Sequence, residues 1–148
     1  MKIKTFLICW IATFVVVFGL NGVFHTVLAA GFFDAHLSQL KPAIHNMSDS
    51  NPAWVALLDA VLTFGMVYFI TIRQTDRISF AKAAIAGGLL NLISSGAWNF
   101  ANAATFAWSL SVTVADIAWH VSLGALGGLI VSAIYNRLER RATVGAVA

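Results

Sequence analysis

Four apolar stretches, each long enough to cross a bilayer, leave this chain few folds to choose from. They run from about Thr5 to Ala30, Ala53 to Ile72, Phe80 to Asn102 and Leu110 to Ile134. About 20 apolar residues suffice for a helix to cross the hydrocarbon core. The third stretch is the most diluted, by Asn91, Asn99 and two serines. Only 10% of the residues are charged and 59% are hydrophobic, whereas soluble domains carry roughly 25% charged residues. Within lipid, a helix satisfies its own backbone hydrogen bonds. The expectation is an all-α, four-helix transmembrane bundle with antiparallel up-down connections, a single integral membrane domain over residues 1–148.

The first stretch also has the outline of a secretory signal, with Met-Lys-Ile-Lys before it and LAAG at 28–31. Its apolar length exceeds the roughly 7–15 residues of a signal core, and Asn21 and His25 interrupt it, so it is read as a retained helix. The cations then set orientation. Lys2 and Lys4 precede span 1, Arg73, Arg77 and Lys82 flank the 2–3 connection, and Arg137, Arg140 and Arg141 follow span 4. Lys41 alone falls in the 1–2 loop. Positive charge stays cytoplasmic, so both termini are expected inside, in a bacterial inner membrane. The basic balance reports topology and attraction to anionic lipid; no nucleic-acid partner is expected. A single cysteine, Cys9, excludes an intramolecular disulfide and any Cys-x-x-Cys motif.

The connections RQTDRIS and NAATFAWS are short, as antiparallel neighbours require. In the longer 31–52 segment, Phe33, Leu37 and Leu40 share one side of a short helix expected to lie on the membrane, ended by Pro42. Gly124, Gly127 and Gly128 on span 4, and Ala83, Gly87 and Gly88 on span 3, fit either close helix contact or the general abundance of glycine in membrane helices. Trp54, Trp98 and Trp108 near one boundary, with Trp10 and Tyr135 near the other, read as an aromatic belt.

The polar residues inside the spans are the informative ones. At 1.5 Å per residue, Asp116 lies roughly 9 Å and His120 roughly 15 Å below the outer boundary, with His25 at roughly 8 Å, Asn21 at roughly 14 Å and Asp59 at roughly 9 Å. Asn99 is shallower still. Asp116 and His120 are spaced i, i+4, as are Asn21 and His25, so each pair shares a helix face. Running antiparallel, the pairs suggest the couples His25–Asp116 and Asn21–His120, with Asp59 completing an acid-rich layer. Ionisable residues inside a membrane mark functional sites by default, although buried polar pairs also serve as glue between helices.

Three roles fit such a cluster: a structural or hydrated network, a solute- or ion-binding site, or a catalytic centre. A mixed site of His25, Asp116 and Asp59 could hold a divalent ion, but no metal-ligand spacing selects one, so no metal is assigned. His25 and His120 differ in depth by roughly 7 Å, which disfavours bis-histidine haem ligation. No cofactor is expected. His36 and His45 in the outer loop, with Asp34 and Asp49, read as solvated groups.

The stretch WNFANAATFAWSLSVTVADIAWHVSLGALGG (98–128) resembles the closing half of a family of bacterial integral membrane proteins, domain of unknown function 2177. In that family's approximate pattern, Tyr-Asp-Leu-Thr-Asn-Leu-Ala-Thr is followed by Trp-Pro-Leu and then Val-Asp-Ile-Ala-Trp-Gly. Asn102, Ala104, Thr105, Trp108, Leu110, Val114, Asp116, Ile117, Ala118 and Trp119 match it, and GFFDAHLSQL (31–40) is similar to the segment after the family's first helix. The resemblance is specific over residues 98–120 and looser elsewhere. Asn99 stands where the pattern has Asp, Asn21 where it has an acid in helix 1, and His120 where it has Gly. The resemblance implies fold and location and supplies no activity.

Residues and resemblance together point to a small four-span protein whose outward-opening polar cluster (Asp116, His120, His25, Asn21, Asp59 and Asn99) binds or passes a small solute, ion or lipid, or assists a membrane complex. The alternative is a small membrane enzyme using an Asp/His proton-transfer pair. The expected partner is the lipid bilayer, and a homo-oligomer or larger membrane complex is compatible with the same surface.

Overall fold

The computed structural model describes residues 3–37, 52–72, 74, 76–106 and 108–144, with side chains through residue 140. The described residues form helices α1 (Ile3–Val23), α2 (Ala30–Leu37), α3 (Pro52–Thr71), α4 (Phe80–Phe106) and α5 (Leu110–Val144), and a π-helical turn, Phe24–Leu28, extends α1. Four helical segments are long and apolar enough to cross a membrane: Ile3–Leu28, Pro52–Thr71, Phe80–Phe106 and Leu110–Arg140. Their outer faces carry Ile11, Val15, Leu57, Val61, Phe69, Ile85, Ile93, Phe100 and Val114, all well exposed. Such a surface requires lipid around it.

Two helices differ from the sequence reading. α4 continues through Asn102, Ala103 and Ala104 to Phe106, because nothing in that run breaks a helix and alanine is the best helix former. The connection before α5 is correspondingly shorter than NAATFAWS. α2 does form, but it does not merely lie on the membrane. Phe33 and Leu37 are buried with Val112 and pack against Phe24, Ala29 and Trp108, so α2 closes one end of the bundle. Leu40 and Pro42 lie outside the described residues.

Contacts along the bundle run in opposite directions on neighbouring helices. Asn21 meets Asp59 and Trp10 meets Ala60 across α1 and α3. Between α1 and α5, His25 meets Asp116 and Thr5 meets Glu139. The most extensive pairing is α4 with α5, and glycine makes it possible. A Cβ on Gly87 would collide with the Gly124 carbonyl, one on Gly128 with the Ala83 carbonyl, and one on Gly124 with the Gly87 carbonyl and the Asn91 amide. These small residues are therefore a dedicated backbone-to-backbone contact, the arrangement that gives dispersion its shortest range in lipid. Asn91 adds a hydrogen bond to the Gly87 carbonyl at 3.2 Å.

The apolar core lies at the other end from α2, built from Phe6, Cys9, Met66, Val67, Ile70, Ile78, Val131 and Tyr135. There Asn136 clamps the 2–3 connection: its Oδ1 accepts from the Ile78 N–H at 2.8 Å and its Nδ2 donates to the Ile78 carbonyl at 2.9 Å. Tyr135 Oη donates to the Gln74 carbonyl at 3.1 Å. Trp10 donates from Nε1 to the Ala60 carbonyl at 3.0 Å, with its ring edge-on to Phe64. Trp10 and Tyr135 are thus struts within the bundle, a correction to the belt assignment, because each reaches a backbone carbonyl that a ring facing lipid could not.

The glycine contact makes a direct test. Gly87→Ala and Gly128→Ala must each move a backbone, and overpacking of this kind costs about 1–3 kcal/mol. Gly19 has open space where a Cβ would go, so Gly19→Ala should leave the detergent melting midpoint near wild type while the other two lower it. Equal midpoints for all three would show that the α4–α5 approach is not the constraint described.

Candidate functional site

Between the apolar core and the α2 cap lies a layer of polar side chains from all four spans. α1 supplies Asn21, and the π-helical turn that follows supplies His25. That turn is closed by Ala29 N–H donating to the Phe24 carbonyl at 2.8 Å, and wide turns of this type recur at functional sites. His25 Nδ1 lies 3.0 Å from the Asn21 carbonyl oxygen, and Thr26 Oγ1 donates to the Gly22 carbonyl at 2.7 Å. Side-chain bonds back to the preceding turn compete with regular helix geometry.

Asp116 on α5 is the centre of the layer. Its Oδ1 is 2.9 Å from His25 Nε2. Its Oδ2 accepts from Asn99 Nδ2 at 2.7 Å and lies 3.7 Å from His120 Nε2, one turn along α5. Three spans therefore converge on one carboxylate, whose residue is only 7% exposed. The ligand atoms of His25, Asp116 and His120 all lie within 4.8 Å of one another.

Asn21 links a second carboxylate to the first. Its Nδ2 donates to Asp59 Oδ2 at 3.2 Å, its Oδ1 accepts from Trp119 Nε1 at 3.1 Å, and its backbone carbonyl holds His25. The couple Asn21–His120 expected from register is therefore replaced by Asn21–Asp59 and Asn21–Trp119. The reason is azimuth: α3 packs on the side of α1 that Asn21 presents, and α5 offers its Trp119 edge there. Asp59 does not join a mixed site with His25 and Asp116. His120 takes that place, because the i, i+4 spacing on α5 folds its ring back toward Asp116.

All six expected site residues thus fall in one connected layer: His25, Asn99 and His120 around Asp116, and Asp59 one step away through Asn21. Sequence reasoning missed Trp119 and Phe33. Trp119 stacks on Phe24 with ring centroids 4.0 Å apart while donating to Asn21. Phe33, buried, lies 5.2 Å from the His25 ring. A signal was present for Trp119, which directly precedes His120 and sits three residues after Asp116 on α5. His36 is exposed and satisfied by the Phe32 carbonyl at 2.8 Å, and Asp34 is exposed. His45 and Asp49 lie outside the described residues.

A model of the DUF2177 family, described as a predicted membrane protein, matches residues 6–133. The chain belongs to that family. The matched range of this DUF2177 protein contains every residue of the polar layer. No curated protein and no solved structure matches the chain.

The closeness of His25 and Asp116 across α1 and α5 predicts energetic coupling. In a double-mutant cycle, His25→Ala and Asp116→Ala should be non-additive by about 0.5–3 kcal/mol, as contacting residues generally are. Cysteines at the two positions in a Cys9→Ser background should crosslink with a short reagent. Additive melting shifts and no crosslink would mean that these helices do not face each other here.

Proposed function

We propose that the polar layer is a binding site for a small cation or hydrogen-bonding solute, opening toward the outer face of a bacterial inner membrane, with both chain termini in the cytoplasm. One observation carries this reading. Among the described residues, Asn99 Oδ1, Asn102 Nδ2, Trp108 Nε1 and Thr113 Oγ1, together with Ser95 Oγ on α4 and Thr13 Oγ1 on α1, are buried without a hydrogen-bond partner. A purely structural network satisfies its own members, since a half-satisfied one is worse than apolar packing. Buried polar groups left over by the protein are completed by water or ligand. Five of the six belong to α4, α5 or the short connection between them, and that clustering supports the reading.

A second reading, proton transfer by a small membrane enzyme, draws support from the 2.9 Å contact of His25 with Asp116 and from His120 beyond it. It uses the same residues but needs a reacting group that the layer does not specify.

Binding to the native state alone stabilises it, by about 2.7 kcal/mol at a hundredfold excess over Kd. Screening ions and small polar solutes by thermal stability in mild detergent should therefore find at least one that raises the wild-type midpoint and leaves Asp116→Asn unchanged. If nothing distinguishes the two proteins, the layer is structural. For orientation, reporter fusions should place residue 75 and the C-terminus in the cytoplasm and residue 45 outside; a cytoplasmic signal at residue 45 would invert the direction of opening.

A further inference from the structure

We propose that His25, Asp116 and His120 form a site for one divalent first-row transition metal ion of the zinc type. This rests on the reading of the polar layer as a binding site and names its ligand. The donor set is two imidazoles and one carboxylate, drawn from the end of α1 and from α5. Zinc bonds to such ligands at about 2.0–2.1 Å, which sets tetrahedral ligand atoms about 3.3–3.5 Å apart. His25 Nε2 lies 2.9 Å from Asp116 Oδ1 and His120 Nε2 lies 3.7 Å from Asp116 Oδ2, one imidazole on each carboxylate oxygen, with values on either side of that spacing. All three ligand atoms fall within 4.8 Å of one another.

The hydrogen bonding around the set favours a cation at its centre. A carbonyl oxygen only accepts, so His25 Nδ1, 3.0 Å from the Asn21 carbonyl, carries the hydrogen. In a neutral ring, Nε2 then presents its lone pair to a carboxylate oxygen 2.9 Å away. Two lone pairs at that distance require positive charge between them, supplied by a proton or by a metal. A ring nitrogen held by a backbone carbonyl while the other faces the ion is the usual outer support of a ligating histidine. Asn99 supports the carboxylate in the same way, donating to Asp116 Oδ2 at 2.7 Å. Its own Oδ1, fully buried and without a partner among the described residues, is an acceptor suited to the hydrogen of a metal-bound water.

The surroundings also suit a dication. Asp59 is 2% exposed, and among the described residues the hydrogen bonds to its carboxylate come from Asn21. A dication on Asp116 would therefore sit one step, through Asn21, from a second carboxyl group. Imidazole with carboxylate suits zinc, iron, nickel and copper(II). Magnesium and calcium favour oxygen ligands, and copper(I) favours sulfur, which Cys9 offers only in the apolar core.

The test uses the full chain in mild detergent, stripped by chelator and titrated with Co2+ as a spectroscopic probe, then with Zn2+ in competition. The expected result is one equivalent of Co2+ per chain, visible ligand-field bands, and their loss on adding Zn2+. Asp116→Asn and His120→Ala should each weaken binding at least tenfold. Asn99→Ala should weaken it about 10–100-fold, the usual effect of losing an outer-shell partner. His36→Ala, at an exposed position of α2, should leave it unchanged. X-ray absorption of the zinc-loaded wild type tests the ligand set even if a variant fails to fold: nitrogen and oxygen at about 2.0–2.1 Å with imidazole scattering is expected. No bound Co2+, binding indifferent to Asp116→Asn, or a sulfur or all-oxygen shell would overturn the metal site. If the wild type binds no metal yet another ion or solute stabilises it through Asp116, the metal fails and the binding site stands; if neither binds, both fail.

Discussion

A carboxylate inside a hydrocarbon layer must find its counterparts within the protein, and Asp116 is where this bundle meets that requirement. Leaving one partner of a buried charged pair alone costs several kcal/mol, so the helices that bear the partners are held in place by it. His25 ties α1 to α5 and Asn99 ties α4 to α5 through the same carboxylate. Asn21 extends the connection to Asp59 on α3. Four spans that share no hydrophobic drive for association in lipid thus acquire one common registration point, with the glycine contact of α4 and α5 as its rigid side.

That rigid side explains how the polar layer is aimed. With Gly87 against Gly124 and Ala83 against Gly128, the two helix backbones touch and their relative rotation is fixed. Asn99, about three turns beyond Gly87, and Asp116, about two turns from Gly124, are then brought to hydrogen-bond distance by geometry rather than by chance. α1 is held differently, through side chains such as Trp10 and Thr5, and it changes to a π-helical turn where it reaches the layer. The wider turn gives His25 a donor's hold on Asn21 and directs its other nitrogen at Asp116.

The sequence made the spans legible because each is an apolar run of membrane length, and it made the level of the polar residues legible because helix rise converts position into depth. Shared i, i+4 faces further pointed to His25 with Asp116. Azimuth between helices is another matter. Which neighbour Asn21 meets depends on how α3 packs beside α1, a tertiary fact with no local signature, and so Asn21 was assigned to His120 instead of Asp59. The same limit hid Trp119, whose role needs both its stack on Phe24 and its reach to Asn21. Trp10 and Tyr135 sat at the right depth for an interface belt, and only their carbonyl partners identify them as struts. α2 was legible as a helix, but its docking on Val112 was not, because an amphipathic pattern has the same appearance whether its apolar face meets lipid or protein.

The departures from the family pattern that the chain resembles now have a physical meaning. Two positions where that pattern carries an acid hold Asn99 and Asn21, and each amide donates to a carboxylate that remains, Asn99 to Asp116 and Asn21 to Asp59. Four acids within one layer would repel one another and demand several protons or cations. With amides at two positions the layer has two carboxyl groups, each accepting from an amide N–H. The third departure, His120 in place of Gly, adds a neutral nitrogen donor beside Asp116. In the metal site proposed above, two imidazoles and one carboxylate give the mixed chemistry suited to a single borderline cation. On that reading the pairing of each amide with its acid, and His120, would set which cation is held, rather than the number of carboxylates.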